Sequence, residues 1–286
     1  MRLVSYALDG RTGLALRTTG GLRDLGPRRL EDILATGPGA LAALAGVDGP
    51  ILDAAAVAYR PVLARPGKIL CIGLNYVDHA AESPYLKVPD YPAVFPRFSS
   101  SLIGHGAPII RPTVSHDLDF EGEVAVIIGR TGRHIAKADA LAHVAGYSIF
   151  NDASIRDYQF KSAQWTVGKN FDATGPFGPD FVTAEELPPG AHGLRIETRL
   201  NGAVVQSAST ADMCFDVATL VSVVSEVMTL EAGDVIMTGT PAGVGFARKP
   251  PLYMRDGDVC EVEVEGLGVL RNPVRDEVAS LDAAAA

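Results

Sequence analysis

The chain has 286 residues, 47% of them hydrophobic and 21% charged, with a formal net charge of −9. That length can bury a sizeable core, and the acidic balance argues against wholesale nucleic-acid binding. No apolar run reaches the length a bilayer span needs, and Cys71, Cys214 and Cys260 stand far apart without a CxxC, so neither a disulfide framework nor a zinc site is expected and the thiols suit a reducing cytoplasm.

The N-terminus, "MRLVSYALDG", alternates like a strand and lacks the apolar core of a signal peptide. "RLVSYAL" and "TGLALRT" flank "DGR", a hairpin signal. "LEDILATGPGALAALAG" is helical but broken by Gly-Pro-Gly, and "YRPVLARPGK" reads as a linker. Residues 1–65 are thus expected to form a small α/β module. "KILCIGLNY" predicts a buried strand entering a glycine turn, followed by the short helix-prone "VDHAAE". "SPYLKVPDYPAVFPR" carries four prolines and predicts an irregular flap over residues 83–96, in which Tyr85 and Tyr91 either face a substrate or simply pack.

"AKADALAHVAGYSIF" predicts a helix leading into a strand. "LRIETRLNGAVVQSAS" predicts two strands joined at Asn201-Gly202. "CFDVATLVSVVSEVMTL" is amphipathic, with Phe215, Leu220, Val223, Val224, Val227 and Leu230 at helical spacing. "VCEVEVEGLGVLRNPV" closes the domain as a hairpin, and residues 277–286 form a frayed tail. Strands dominate without regular alternation with helices, which predicts a β-rich α+β fold rather than a doubly wound sheet.

The most informative stretch is "DLDFEGEVAVIIGR". Asp117, Asp119, Glu121 and Glu123 alternate, so an extended strand would put all of them on one face, about 7 Å apart. At an effective dielectric near 20, neighbours would repel by about 2 kcal/mol. Ala125 and Ile127 continue the same face, so the strand runs into apolar surroundings where carboxylates need a cation or hydrogen-bond donors. Glu121 and Glu123 lie nearest that end. An oxygen-only donor set suits Mg²⁺, Mn²⁺ or Ca²⁺ rather than zinc. Gly122 leaves room for close approach on the opposite face. A third acid is needed. Asp152, after "YSIF", is the best candidate, although alone it reads first as a turn residue or N-cap.

His79 and Glu82 share a helix face at a spacing of three, as a general base and its orienting carboxylate would. On spacing alone a plain surface pair explains them better. Lys169, Arg156 and Gln159 alone read as surface residues. The "TGTPAGVG" turn carrying Thr240 has backbone N–H groups able to bind a carboxylate, and it is not a P-loop. His105 and His116 read as turn or strand-end residues.

"CIGLNYVDHAAE", "DLDFEGEVAVIIG", "GYSIFNDASIRDYQ", "QWTVGKNFDATGPFGP" and "GDVIMTGTPAGVG" occur in the order and spacing of the fumarylacetoacetate hydrolase superfamily, which the chain resembles over roughly residues 66–274. "RKPPLYMRDGD" and the short leading module are most similar to its domain-containing protein 2 type. The resemblance implies a mixed β-sandwich roll over residues 66–276 and a homodimer. It implies that Glu121, Glu123 and Asp152 hold Mg²⁺ or Mn²⁺, with Ca²⁺ able to replace them in crystals. It implies that His79 and Glu82 activate water or move a proton, that Lys169 stabilises enolate or oxyanion charge, and that Arg156 and Gln159 bind substrate. Arg97 stands where many relatives have lysine and is expected to contact the substrate. The implied reaction is hydrolysis of a C–C bond in a small 2,4-dioxo acid. Tautomerisation or decarboxylation of oxaloacetate, or isomerisation or dehydration of another 2-oxo acid, are the alternatives at the same site.

Overall fold

The computed structural model describes residues 1–37, 39–82 and 89–278. Strands Gly122–Ile128 and Val144–Asn151 form the centre of the main sheet and pair antiparallel, with Gly122 opposite Asn151. The first is buried on both faces. Val124, Val126 and Ile128 pack with Ile196, Val262 and Leu270, whereas Ala125 and Ile127 pack with Leu3, Phe150 and Phe177. A nearly continuous apolar run is what a strand covered on both sides requires.

On one side of this centre lie Val235–Met237, the parallel strand Ile69–Gly73, and Ala93–Pro96 at the edge. On the other, Gly175–Thr183 leads to Arg2–Leu8, with Leu3 opposite Phe181. The leading hairpin therefore extends the sheet that carries the rest of the chain, and the boundary expected at residue 65 falls inside a continuous sheet. A second sheet runs in the order Ala203–Ser209, Arg195–Leu200, Val259–Val264, Gly268–Asp276, Ile109–Arg111. At its first hairpin, Asn201 and Gly202 have φ of 53° and 81°, the left-handed pair that a type I′ turn needs. The result is the β-rich α+β architecture expected, with two packed sheets.

Several local expectations change. The acidic stretch is not one strand: Leu118–Asp119 pairs with Ser154–Ile155, and the main strand begins only at Gly122. Breaking the pleat lets Asp119 reach the Gly245 and Phe246 amides while Glu121 reaches Lys169, and both carboxylates share Arg156. Residues 93–96, expected to be irregular, form a regular strand on Ile69–Gly73. As an edge strand it tolerates Pro96, which lacks a donor. Lys137–His143 is a 3₁₀ segment rather than an α-helix. Helix Val217–Val227 starts at Asp216, whose side chain accepts from Thr219 N at 2.7 Å. Its buried stripe is Val217, Leu220, Val221 and Val224, which leaves Val227 60% exposed.

At Gly122 the second sheet presses close against the first. A Cβ there would lie 2.3 Å from Thr198 Oγ1 and 2.9 Å from Val262 Cγ1. Gly122→Ala is therefore expected to cost about 1–3 kcal/mol, read as a lower urea midpoint with unchanged m. An unchanged midpoint would show that the sheets part without penalty.

Candidate metal centre and active site

Backbone pairing assembles the acids. Asp152 follows directly on Val144–Asn151, and its N–H donates to the Glu121 carbonyl at 2.8 Å. Glu121, Glu123 and Asp152 are 5%, 1% and 0% exposed, and their carboxylates each offer an oxygen within 4.8 Å of the others. Three cations reach in from separate segments, Arg97 from the end of strand Ala93–Pro96 and Arg156 and Lys169 from two short helices. Lys169 Nζ lies 2.6 Å from both Glu121 Oε2 and Asp152 Oδ2. Arg156 Nη1 lies 2.6 Å from Glu121 Oε1, and its Nε donates to Asp119 Oδ2 at 2.7 Å. Arg97 Nη1 donates to Asp152 Oδ1 at 2.6 Å and its Nη2 to Thr174 Oγ1 at 2.8 Å.

Four buried carboxylates, Asp119 included, thus share three cations, and the unmatched acid is Glu123. It accepts the Gly239 N–H at 2.8 Å. Burial, reinforced by Asp152 and Glu121, pushes its carboxyl well above the usual range. Burial also acts to raise Glu121, but the charges of Lys169 and Arg156 outweigh it and hold that group at about 2. An all-oxygen donor set with one uncompensated carboxylate fits a hard divalent cation. Cys71 is fully buried nearby, and burial, with Asp152 and Glu123, raises its thiol, so a thiolate is disfavoured there.

The "TGTPAGVG" turn does bind carboxylates through its backbone, but they belong to the protein. Gly239 N–H serves Glu123. Gly243 and Val244 N–H reach Glu82 at 3.0 and 3.4 Å. Gly245 and Phe246 N–H donate to Asp119 at 2.7 and 3.0 Å. Gly243 has φ of 103°, and a Cβ there would come 2.3 Å from the Val205 carbonyl, so only glycine serves. Glu82 in turn lies 3.0 Å from His79 Nδ1. His79 is 7% exposed and lines the same cavity as Glu121 and Glu123.

Of the residues expected to meet substrate, Arg156, Gln159 and Thr240 also line this cavity. Arg156 Nη1 donates to Gln159 Oε1 at 2.8 Å, while its buried Nη2 has no partner among the described residues. Thr240 Oγ1 accepts from Gln206 Nε2 at 2.8 Å, which leaves its own hydrogen to donate. Arg97 is a correction. Its side chain is 0% exposed and clamps Asp152 from behind, so it holds a carboxylate of the protein and not of a ligand. Tyr91 is exposed and is not among the cavity residues, and Tyr85 lies outside the described residues.

The sequence reading missed the walls. Phe95 and Trp165 meet edge-to-face at 5.4 Å, as do Phe160 and Phe246. The Phe246 ring carries the Arg156 guanidinium at 4.5 Å. Gly73 makes room for Trp165, since a Cβ would fall 2.2 Å from its ring. Leu74 follows with φ of 57°, an uncommon conformation for leucine placed at the cavity edge. Phe95 comes from the edge strand Ala93–Pro96 and Trp165, Phe160 and Phe246 from turns, so no single period links them; the glycine in "CIGLNY" was the one available signal.

Residues 68–275 match the family described as "Fumarylacetoacetate (FAA) hydrolase C-terminal", and the chain belongs to that family of enzymes. The rat protein called oxaloacetate tautomerase Fahd2a, mitochondrial, is 39% identical over 289 residues, covering 96% of this chain and 91% of its own length. The solved structure of fumarylacetoacetate hydrolase from Exiguobacterium antarcticum superposes with TM-score 0.84 at 38% identity, over 97% of this chain and 100% of that one. That of 2-hydroxyhepta-2,4-diene-1,7-dioate isomerase from Mycobacterium marinum gives 0.76 at 32% identity, over 97% and 99%. Enzymes of this family use a divalent metal, and Glu121, Glu123 and Asp152 form an acidic triad suited to one. The expectation of a cytoplasmic protein is overturned by the mitochondrial label of the rat relative, which points away from a plain cytoplasmic location.

Asp119 joins the turn to Arg156 at 0% exposure. Asp119→Ala would remove one of the two carboxylates on the buried Arg156 guanidinium and leave the Gly245 and Phe246 amides without their acceptor, and is expected to cost about 1–3 kcal/mol, measured by chemical denaturation. A loss below about 1 kcal/mol would mean that this contact is dispensable.

Proposed function

We propose that this enzyme interconverts the keto and enol forms of a small 2-oxo dicarboxylic acid of the oxaloacetate type. What carries the reading is that a histidine fixed by a carboxylate opens on the cavity that holds the acidic triad. The likeness to the rat tautomerase over nearly the whole chain supports it. The free interior of the cavity is about 30 Å³, room for about two waters.

The chain's own groups account for the proton movement. Glu82 already accepts backbone N–H bonds, so it also accepts from His79 Nδ1–H. That fixes the tautomer and leaves Nε2 unprotonated as the base. His79 Nε2 takes the proton from C3 of the keto acid, and negative charge builds on the 2-oxo oxygen. The Lys169 ammonium stands ready to stabilise that charge. His79, now protonated at Nε2, delivers that proton to the 2-oxo oxygen to give the enol and returns to its neutral form, and the reverse sequence restores the keto form. Arg156 Nη2, the Gln159 amide and the Thr240 hydroxyl hold the substrate's carboxylates. Mg²⁺ or Mn²⁺ held by Glu121, Glu123 and Asp152 would add Lewis-acid polarisation of the substrate oxygens.

Hydrolysis of an acylpyruvate is the second reading, favoured by the likeness to the Exiguobacterium hydrolase. It asks the same dyad to activate water instead of moving a carbon-bound proton. A panel of enol-oxaloacetate, acylpyruvates and 2-keto-3-deoxy sugar acids, assayed with Mg²⁺ or Mn²⁺, separates the two. Tautomerisation is expected to dominate; faster acylpyruvate cleavage would replace the main reading with the second.

His79→Ala is expected to lower turnover by about 10²–10⁴-fold while bound metal, measured by elemental analysis, stays unchanged. Glu123→Gln and EDTA treatment are expected to remove metal and activity together. Activity indifferent to chelation would sink the metal assignment.

A further inference from the structure

Residues 1–65 carry eight arginines and no lysine against six acidic residues, although the chain as a whole is at −9. Four of those arginines, Arg28, Arg29, Arg60 and Arg65, line one cavity of about 190 Å³. They come from the turn before helix Leu30–Thr36 and from the linker that follows the leading hairpin. Four guanidiniums around one cavity concentrate positive potential there, so the neighbouring groups decide what the cavity is for.

Those groups are already engaged. Glu31 is the one acid lining the cavity, and its Oε1 accepts the backbone N–H groups of Ala64 and Arg65 at 2.6 and 3.0 Å. Arg29 lies 3.9 Å from Glu31 and 3.5 Å from Asp32. The Tyr6 hydroxyl donates to Asp24 at 2.6 Å, and Ser5 donates to the Val62 carbonyl at 2.9 Å. Arg28, Arg60 and Arg65 are exposed, and no acid of the described residues pairs with any of the three. Each presents a planar fork of donors that matches phosphate or carboxylate oxygens.

We propose that this cavity is a binding site for a compact multivalent oxyanion, a small molecule carrying two or more phosphate or carboxylate groups, distinct from the metal centre. Arg28, Arg60 and Arg65 contact the anion, Arg29 strengthens the local potential, and Thr12 lends a hydroxyl from the hairpin. The ligand must be multivalent, because one univalent group cannot satisfy three forks. Because the arginines are exposed, the affinity must fall as salt rises.

The test is calorimetric titration of the full-length protein with pyrophosphate and, separately, with tricarballylate, at low and at physiological ionic strength. The control is Arg28→Gln/Arg60→Gln/Arg65→Gln, whose fold is checked by its melting temperature and whose turnover is expected to equal that of the wild type. One site per chain is expected in the wild type, weakened at least tenfold in the triple variant and weakened by salt. Tighter binding of pyrophosphate identifies a phosphorylated ligand, and tighter binding of tricarballylate a polycarboxylate. No binding to the wild type, or equal binding by the variant, would overturn the proposal, whatever the outcome for the catalytic cavity. If the triple variant fails to fold, Arg60→Gln alone must still weaken binding measurably, and its failure to do so also counts against the site.

Discussion

The catalytic half of the molecule depends on one constraint: buried carboxylates must each find a donor or a cation. Glu121, Glu123, Asp152 and Asp119 lie almost fully out of water. Unpaired, each would cost several kcal/mol to bury in ionised form. The fold answers with Arg97, Arg156 and Lys169, and with the amides of a single turn between residues 239 and 246. That turn can supply so many donors because Gly239 and Gly243 adopt positive φ and bring the backbone close. The balance stops one positive charge short, at Glu123, and there a hard cation fits.

Much of this was legible in the sequence. Glu121 and Glu123 stand out because they lead into an apolar run, and the structure buries both faces of that run. The Asn201-Gly202 hairpin follows from backbone sterics alone. Gly122 signals close approach, and the second sheet presses against it. Local pattern carries such features because each depends on residues close in the chain.

Long-range partnerships were harder to read. Arg97 looks like any charged residue after a proline-rich stretch, and its 55-residue separation from Asp152 is invisible to spacing. Nothing in the alternation of Asp119 with its neighbours shows that it joins Arg156 to the glycine turn. The aromatic walls have no period because they sit on four loops and strand ends. The alternation of four acids suggested a single pleated face, whereas the chain relieves their repulsion by breaking the strand between Asp119 and Gly122. Helix Val217–Val227 showed the same limit: its apolar content was clear, but which positions face inward was set by where its cap falls.

The glycine turn also makes distinct components of the site mechanically inseparable. It grips the carboxylate beside the histidine, the carboxylate awaiting a cation and the carboxylate that steadies a guanidinium. A shift of its backbone would therefore retune proton affinity, metal affinity and anchoring geometry in one stroke. The Phe95–Trp165 pair holds none of those carboxylates, whereas Phe246 belongs to the turn itself, because its N–H donates to Asp119 and its ring carries the Arg156 guanidinium.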